Sequence, residues 1–380
     1  MEQRSKRGGT LAYVVLDSEN TFHSKGDAHD QRNFNVCWSY AHPGGSGCFR
    51  DVSTLQHFID NHDVIVGFNL MYDLQWLWKL GIRTEGKKFW CCQVAEFILN
   101  NQRTPYPSLD EAAEKYTGEK KLDVVKTEYW DKGINTDQVP WDILSAYAIQ
   151  DAELTEKVYL AQLAQIPNSK KNLYSIAMQD MVVLAEMRFN GMKYDKEFAD
   201  NKCKELLAEI EATKQELDLL HHVPTFNWGS NDHLSALLYG GTIEEEVRYP
   251  KGFYKTGAKV GQTRYGIERV THNLPRIYKP LPKTESEKGG TWSTSEDILQ
   301  KLDDGTALIS GILKIRGLSK QYGTYFKGIP EKATESYWKD GMVYGQFNQC
   351  MAVTGRLSSS GPNMQNIPEA ALEMFVSRYE

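Results

Sequence analysis

The chain has 380 residues, a hydrophobic fraction of 41%, a charged fraction of 25% and a net charge of −6. That length calls for two or three domains, and the acidic balance gives no global sign of nucleic-acid binding, which must then rest on local patches. No apolar run reaches the length of a membrane span, and Met1 to Arg7 lacks the apolar core of a signal peptide, so a cytoplasmic protein without membrane contact is expected.

Residues 11–16 form a short Val-rich apolar run bounded by Gly8 and Gly9, which predicts a buried strand. Residues 35–41 and 63–68 are further strand candidates. Residues 71–80 and 108–116 have helical spacing, the second with Ser108 as cap and Glu111 at capping-box distance. Residues 142–164 predict a long helix ending near Pro167. Together these elements indicate an α/β domain over residues 1–166. From Asn172 the pattern turns helical: 173–189 and 198–220 are amphipathic, the latter with Glu205, Glu209, Glu211, Lys214 and Glu216 on a wet face. Residues 242–292 lose helical period and are rich in Gly, Tyr, Pro, Lys and Arg. From Arg248 to Lys288 ten Lys/Arg face three Glu, a local charge of +7. A broken helical pattern resumes over 295–326, and 341–353 alternates in a way that suggests strands. The six cysteines show no C-x-x-C spacing and read as reduced thiols.

Acidic residues recur at three places. Asp17 and Glu19 follow the first apolar run at i, i+2, so both point to one side of a strand. Two hard-oxygen donors there suit Mg²⁺ or Mn²⁺. Asp73 follows the 63–68 strand, where Asn69 can cap the next helix. Tyr147 and Asp151 lie at i, i+4 on one helix face. Each motif alone has a plainer reading: a solvated strand end, a first-turn Asp favoured by the helix dipole, or a packed Tyr beside a surface Asp.

In order, D-x-E, N-x-x-Y-D and Y-x-x-x-D resemble the DEDDy 3′→5′ exonucleases that proofread for many DNA polymerases. The resemblance implies a ribonuclease-H-like α/β fold, a mixed sheet flanked by helices, and a catalytic set of Asp17, Glu19, Asp73, Tyr147 and Asp151. It further implies two metal ions held by Asp17, Glu19, Asp73 and Asp151. In that scheme Asp17 bridges the ions, Asp73 acts largely through water, and the Tyr147 hydroxyl orients the attacking water. The expected product is a 5′-mononucleotide from a DNA 3′ end.

A second string, Thr354-Gly355-Arg356-Leu357-Ser358-Ser359 running on to Pro362-Asn363-Met364-Gln365-Asn366-Ile367-Pro368, is similar to a signature of family-A DNA polymerases. Earlier pieces resemble the same family in order: Leu184 to Met192, the helix leading into the polymerase domain; Phe226-Asn227-Trp228-Gly229-Ser230, the start of a thumb helix; Trp292 to Leu299; and Arg316 to Lys320, followed by Thr324-Tyr325. The resemblance implies a mainly α thumb and the first part of an α+β palm. The expected layout is an exonuclease domain over 1–166, a lead-in over 167–200, a thumb over 201–328 with a basic insertion at about 242–292, and incomplete palm over 329–380. Primer–template contact is expected from Arg316, Lys320, Arg356, Asn363, Gln365 and Asn366, largely blind to sequence. The insertion reads as a DNA clamp, a docking site for a processivity factor, or a solvated basic hairpin.

In that family the palm aspartates and the fingers helix follow the N-I-P segment, and here only twelve residues follow it. The expectation is the N-terminal part of a phage-type polymerase, acting in the host cytoplasm and needing a second polypeptide that carries palm and fingers. Intron or intein interruption and truncation are the alternatives for that ending. Without such a partner, apolar surface is expected around Met374-Phe375-Val376. A non-catalytic DNA-clamping subunit and a stand-alone DEDDy exoribonuclease are the rival readings.

Overall fold

The computed structural model describes residues 11–287 and 289–379. Met1 to Arg7, Gly8, Gly9, Lys288 and Glu380, which entered the sequence reading, lie outside the described residues. Two units divide the chain, one made of residues up to Lys196 together with Ile329 onward, the other of Glu197–Gly328.

The first unit is built on a mixed five-stranded sheet in the order β3-β2-β1-β4-β5. Its strands are β1 (Tyr13–Asn20), β2 (Asn35–His42), β3 (Gly45–Phe49), β4 (Val64–Gly67) and β5 (Lys88–Cys91). β2 runs antiparallel to both β1 and β3, whereas β1, β4 and β5 are parallel. Val14, Val15 and Leu16 of the central strand are fully buried, as a strand covered on both faces requires. β1 continues beyond the apolar run because Asp17 pairs with Ser39 and Glu19 with Cys37 of β2. The two acids therefore stand on the strand itself, not after it.

The flanking helices are α1 (Leu55–Asp60), α2 (Leu70–Lys79), α3 (Cys92–Leu99), α4 (Leu109–Thr117), α5 (Val124–Glu128), α6 (Trp141–Gln165) and α7 (Lys171–Asn190). Ser108 and Glu111 form the expected capping box on α4. Asn69 stands at the N-cap position of α2, but its side chain makes no capping hydrogen bond. A single apolar cluster ties Trp38, Trp76, Leu74, Ile65 and Val158 of sheet and helices to Met178 and Met181 of α7. The cysteines are all free, as expected.

After β6 (Met192–Tyr194), α8 (Lys196–Asp218) opens the second unit, which adds α9 (Asn231–Tyr239), β7 (Gly241–Phe253), β8 (Thr263–Leu274), α10 (Glu296–Leu302) and α11 (Ala307–Lys320). Its core gathers Ile210 and Leu217 of α8, Leu234 and Leu238 of α9, Leu299, and Ile309, Ile312 and Ile315 of α11. Gly311 lets α11 approach closely, since a Cβ there would stand 2.9 Å from Leu217. The expected 295–326 helical pattern is broken between α10 and α11 at residues 303–306, and α11 then runs into a π turn at Gln321–Phe326. The basic insertion contains a long antiparallel ribbon, β7 against β8.

The chain then re-enters the first unit through α12 (Gly328–Glu335), β9 (Met342–Val343), β10 (Gln346–Asn348), β11 (Ser358–Ser360), α13 (Glu369–Leu372) and β12 (Phe375–Val376). β6 is flanked on its two sides by β9 and β12. The expected apolar exposure here is only partial: Met374 is fully buried and Phe375 partly so, whereas Val376 and the nearby Leu372 are exposed. Among the described residues, no helix is long and apolar enough to cross a membrane.

Candidate functional site

Three carboxylates from distant parts of the first unit meet at one point. Oxygens of Asp17 and Glu19 on β1 and of Asp151 on α6 all lie within 4.8 Å of one another. The strand period supplies the first two, and α6 brings in the third where it packs across β1 and β2. Asp73 stands apart from this trio. Its Oδ1 accepts hydrogen bonds from the Ser18 backbone N–H at 3.1 Å and the Ser18 hydroxyl at 2.7 Å. Ser18 lies between Asp17 and Glu19, so Asp73 is clamped to the same short stretch of β1.

Burial of so much like charge has an electrostatic cost. Burial, then the Asp73 charge, push Asp17 up to about 7 against the opposing pull of Lys121. Burial, followed by Asp17 and Asp151, lifts Glu19 well above the carboxylate range. Asp73 reaches about 7 through burial, although its bonds to Ser18 oppose the rise. Asp151 also reaches about 7 through burial, against its ion pair with Lys121. Such a set suits a bound cation, because positive charge among the oxygens would relieve both desolvation and repulsion. A second observation fits: Asp151 Oδ1 is buried and has no hydrogen-bond partner. A buried acceptor of this kind calls for a ligand, and a divalent ion satisfies it.

Tyr147, one turn before Asp151, is buried with its ring edge-on to Trp130 at 5.8 Å. Burial and the charges of Asp151, Glu19 and Asp17 keep its hydroxyl protonated far above the ordinary tyrosine range. The hydroxyl is thus a hydrogen-bond donor beside the acids at any accessible pH. Phe22, three residues beyond Glu19, stacks on Trp130 at 5.8 Å and is half exposed.

Lys121 completes the site and was not picked out in the sequence. Its ammonium pairs with Asp151 Oδ2 and sits 4.7 Å from the Tyr147 ring centroid. Its loop is pinned from both sides: the Lys121 N–H donates to Asp110 at 3.2 Å, and the Leu122 N–H donates to Gln150 at 2.7 Å. Lys121 lies in an irregular loop with no periodicity to mark it. The only signal was a Lys-Lys pair ahead of the acid-bearing helix. Lys121 holds Asp151 Oδ2, beside the unpartnered Oδ1, and its charge repels an incoming cation. Replacing Lys121 with Met is therefore expected to tighten Mn²⁺ binding on the order of tenfold in calorimetry. Unchanged or weaker binding would show that the ammonium and the ion do not compete.

The expected DNA-contacting residues are placed as follows. Lys320, at the end of α11, is exposed, as are Arg356, Asn363, Gln365 and Asn366 in the segments around β11. Asn363 accepts a hydrogen bond from the Gln365 N–H at 3.0 Å. Arg316 is engaged within its own unit. Its guanidinium donates to the Thr294 carbonyl, to the Thr294 hydroxyl at 3.0 Å and to Asn231 at 2.9 Å.

Comparison with known proteins agrees with this geometry. A family model described as 3′-5′ exonuclease matches residues 40–165, and one described as DNA polymerase family A matches residues 269–378. The first stretch contains Asp73, Tyr147 and Asp151 but begins after Asp17 and Glu19, which the geometry alone joins to the site. DNA polymerase I of Pseudomonas aeruginosa is 28% identical over 72% of this chain and 26% of that protein. DNA polymerase I of Aquifex aeolicus is 25% identical over 97% of this chain and 56% of that protein. The thermostable DNA polymerase I of Thermus thermophilus is 31% identical over 49% of this chain and 18% of that protein. The chain thus spans from under a fifth to just over half of these relatives. Among solved structures, the POL domain of Pol1 from M. smegmatis, in complex with DNA primer-template and dNTP, shares the fold with a TM-score of 0.65 at 17% identity. That match covers 96% of this chain and 54% of the other. The protein is related to the family-A DNA polymerases and carries an N-terminal DEDDy-type 3′-5′ exonuclease domain.

Proposed function

We propose that this relative of the family-A DNA polymerases is a metal-dependent proofreading nuclease that removes 5′-mononucleotides from DNA 3′ ends. The observation that carries the reading is the meeting of Asp17, Glu19 and Asp151 oxygens within 4.8 Å around a buried, unpartnered Asp151 oxygen. Asp17, Glu19 and Asp151 would hold one Mg²⁺ or Mn²⁺, and Asp17 with Asp73 a second. Bound there, a pair of divalent ions activates water and offsets charge on the attacking and leaving oxygens.

The chain's own groups supply the rest. The protonated Tyr147 hydroxyl is placed to orient the attacking water by hydrogen bonding. The Ser18 clamp fixes Asp73 against β1, so the acids keep their spacing without rotamer search. Lys121, paired with Asp151 Oδ2, would supply positive charge beside the acids to a bound substrate phosphate. The exposed face of Phe22 offers a stacking surface for a terminal base next to the acids.

In the same reading, Lys320, Arg356, Asn363, Gln365 and Asn366 bind primer–template DNA. Arg316 joins them only by giving up Thr294 and Asn231.

The nuclease reading is tested by incubating labelled single-stranded DNA and RNA with the protein in Mn²⁺ and in EDTA. Stepwise shortening of DNA from the 3′ end, lost in EDTA, is the expected result. Shortening of RNA alone would make the protein an exoribonuclease. No shortening of either would leave a DNA-clamping subunit with an idle metal centre.

A further inference from the structure

The β7–β8 ribbon is divided along its length. At its base Ile243 is buried against Val223 and Ala236, with Leu274 and Phe226 packed alongside. The next stretch is acidic and internally paired: Glu245 accepts from His272 at 3.0 Å, and Glu246 pairs with Arg269 at 3.3 Å. Beyond Val247 the composition changes completely. Residues 247–267 contain Arg248, Lys251, Lys255, Lys259 and Arg264 and no Asp or Glu.

Four aromatic side chains are interleaved with those charges: Tyr249, Phe253, Tyr254 and Tyr265. Phe253 is 67% and Tyr265 59% exposed. Tyr249 lies flat along the ribbon over Gly266, where an added Cβ would come within 2.7 Å of the ring. Cross-strand register sets Tyr265 opposite Pro250 and Arg248 opposite Ile267, so ring and guanidinium share one face. The tip is held in shape by paired backbone bonds, Tyr254 N–H to Gln262 at 3.0 Å and Gly261 N–H to Tyr254 at 3.0 Å.

Lysines along an exposed two-stranded ribbon have a plainer use, since they deter pairing with other sheet edges. That use does not call for aromatic rings. Open Tyr and Phe side chains on such a ribbon would increase its tendency to associate. A binder of duplex backbone needs the cations but again not the rings. Cations that track a phosphate chain, interleaved with rings on which bases stack, are the combination that holds unpaired nucleic acid. We propose that the distal half of the ribbon, about residues 248–265, is a binding site for single-stranded DNA, separate from the exonuclease centre.

The test uses the full chain in EDTA, so that binding is read without cleavage and the result does not depend on the nuclease assignment. Anisotropy of a labelled oligo-dT is measured over a range of salt for the wild type and two variants. The first carries Lys251→Gln, Lys255→Gln, Lys259→Gln and Arg264→Gln. Its salt slope should fall by about 3, at ~0.7 per lost single-strand contact. The second carries Phe253→Ala and Tyr265→Ala. It should bind oligo-dT roughly tenfold or more weaker with the slope little changed. All the altered side chains lie outside the packed core, so unchanged thermal melting verifies the fold.

Wild-type affinity and slope in both variants would overturn the proposal. So would a charge variant that loses duplex and single-strand binding equally while the aromatic variant loses neither, since that describes a backbone clamp. Loss of a co-purifying protein from the ribbon variants, with oligo-dT binding intact, would overturn it in favour of a protein-docking arm.

Discussion

Asp17→Ala is expected to abolish metal-dependent shortening of DNA 3′ ends while leaving the protein folded. Asp17 belongs to the carboxylate trio and also feels the charge of Asp73. It is therefore the one acid coupled to every part of the site, and no neighbour can take its place without moving β1. Charge stabilisation by bound metal is worth several kcal/mol in the transition state. At 1.36 kcal/mol per factor of ten, losing it costs at least ~1,000-fold in rate. The measurement is a gel-resolved time course in Mn²⁺ at matched protein concentration. A residual rate within tenfold of wild type would remove Asp17 from the metal site and with it the proposed mechanism.

The same side chain governs a second result, of opposite sign. Without metal, the folded protein becomes less stable as pH rises from about 4 to about 7. Asp17, Asp73 and Asp151 titrate near 7 in the fold, against about 4 for an unfolded aspartate. Between those values the folded chain holds more protons than the unfolded one, so stability falls with rising pH and levels off above the folded value. Asp17→Asn removes one of these acids and reduces the repulsion on the others. It should raise the melting temperature in EDTA by a few degrees at pH 8, a gain of ~1 kcal/mol or more, and by clearly less at pH 5. Saturating Mn²⁺ should reverse the order at pH 8, because wild type alone offers the full ligand set. Equal melting of the two proteins at pH 8 in EDTA would show that the acids are not strained against one another.

Much of the site could be read from residue spacing because its elements obey simple periods. Asp17 and Glu19 share a side because strands alternate, and Tyr147 and Asp151 share a face because helices turn. Ser108 and Glu111 announced a helix start through local hydrogen bonding. What escaped notice lacks a period. Lys121 reaches the acids from a loop placed by Asp110 and Gln150, a tertiary arrangement with no local signature. The β7–β8 ribbon was legible only as one of three readings of the basic insertion, a solvated hairpin, because both of its faces are wet and its residues do not alternate between apolar and polar. β3 is masked by its Gly-Ser-Gly start. The internal bonds of Arg316 were equally out of reach, since Thr294 and Asn231 are distant in sequence.

The pairing of β6 with both β9 and β12 bears on how the polypeptide acquires its structure. The five-stranded sheet needs only residues 13–91 and can form early. The small sheet must wait for nearly 150 further residues, because its middle strand ends at Tyr194 and its first partner begins at Met342. During synthesis β6 emerges with both edges open, and closing so long a loop carries a standing entropic penalty. A chain halted near residue 328 would hold a complete sheet around its acids and an unsealed strand beside it. Such an intermediate is the one most exposed to association with other chains.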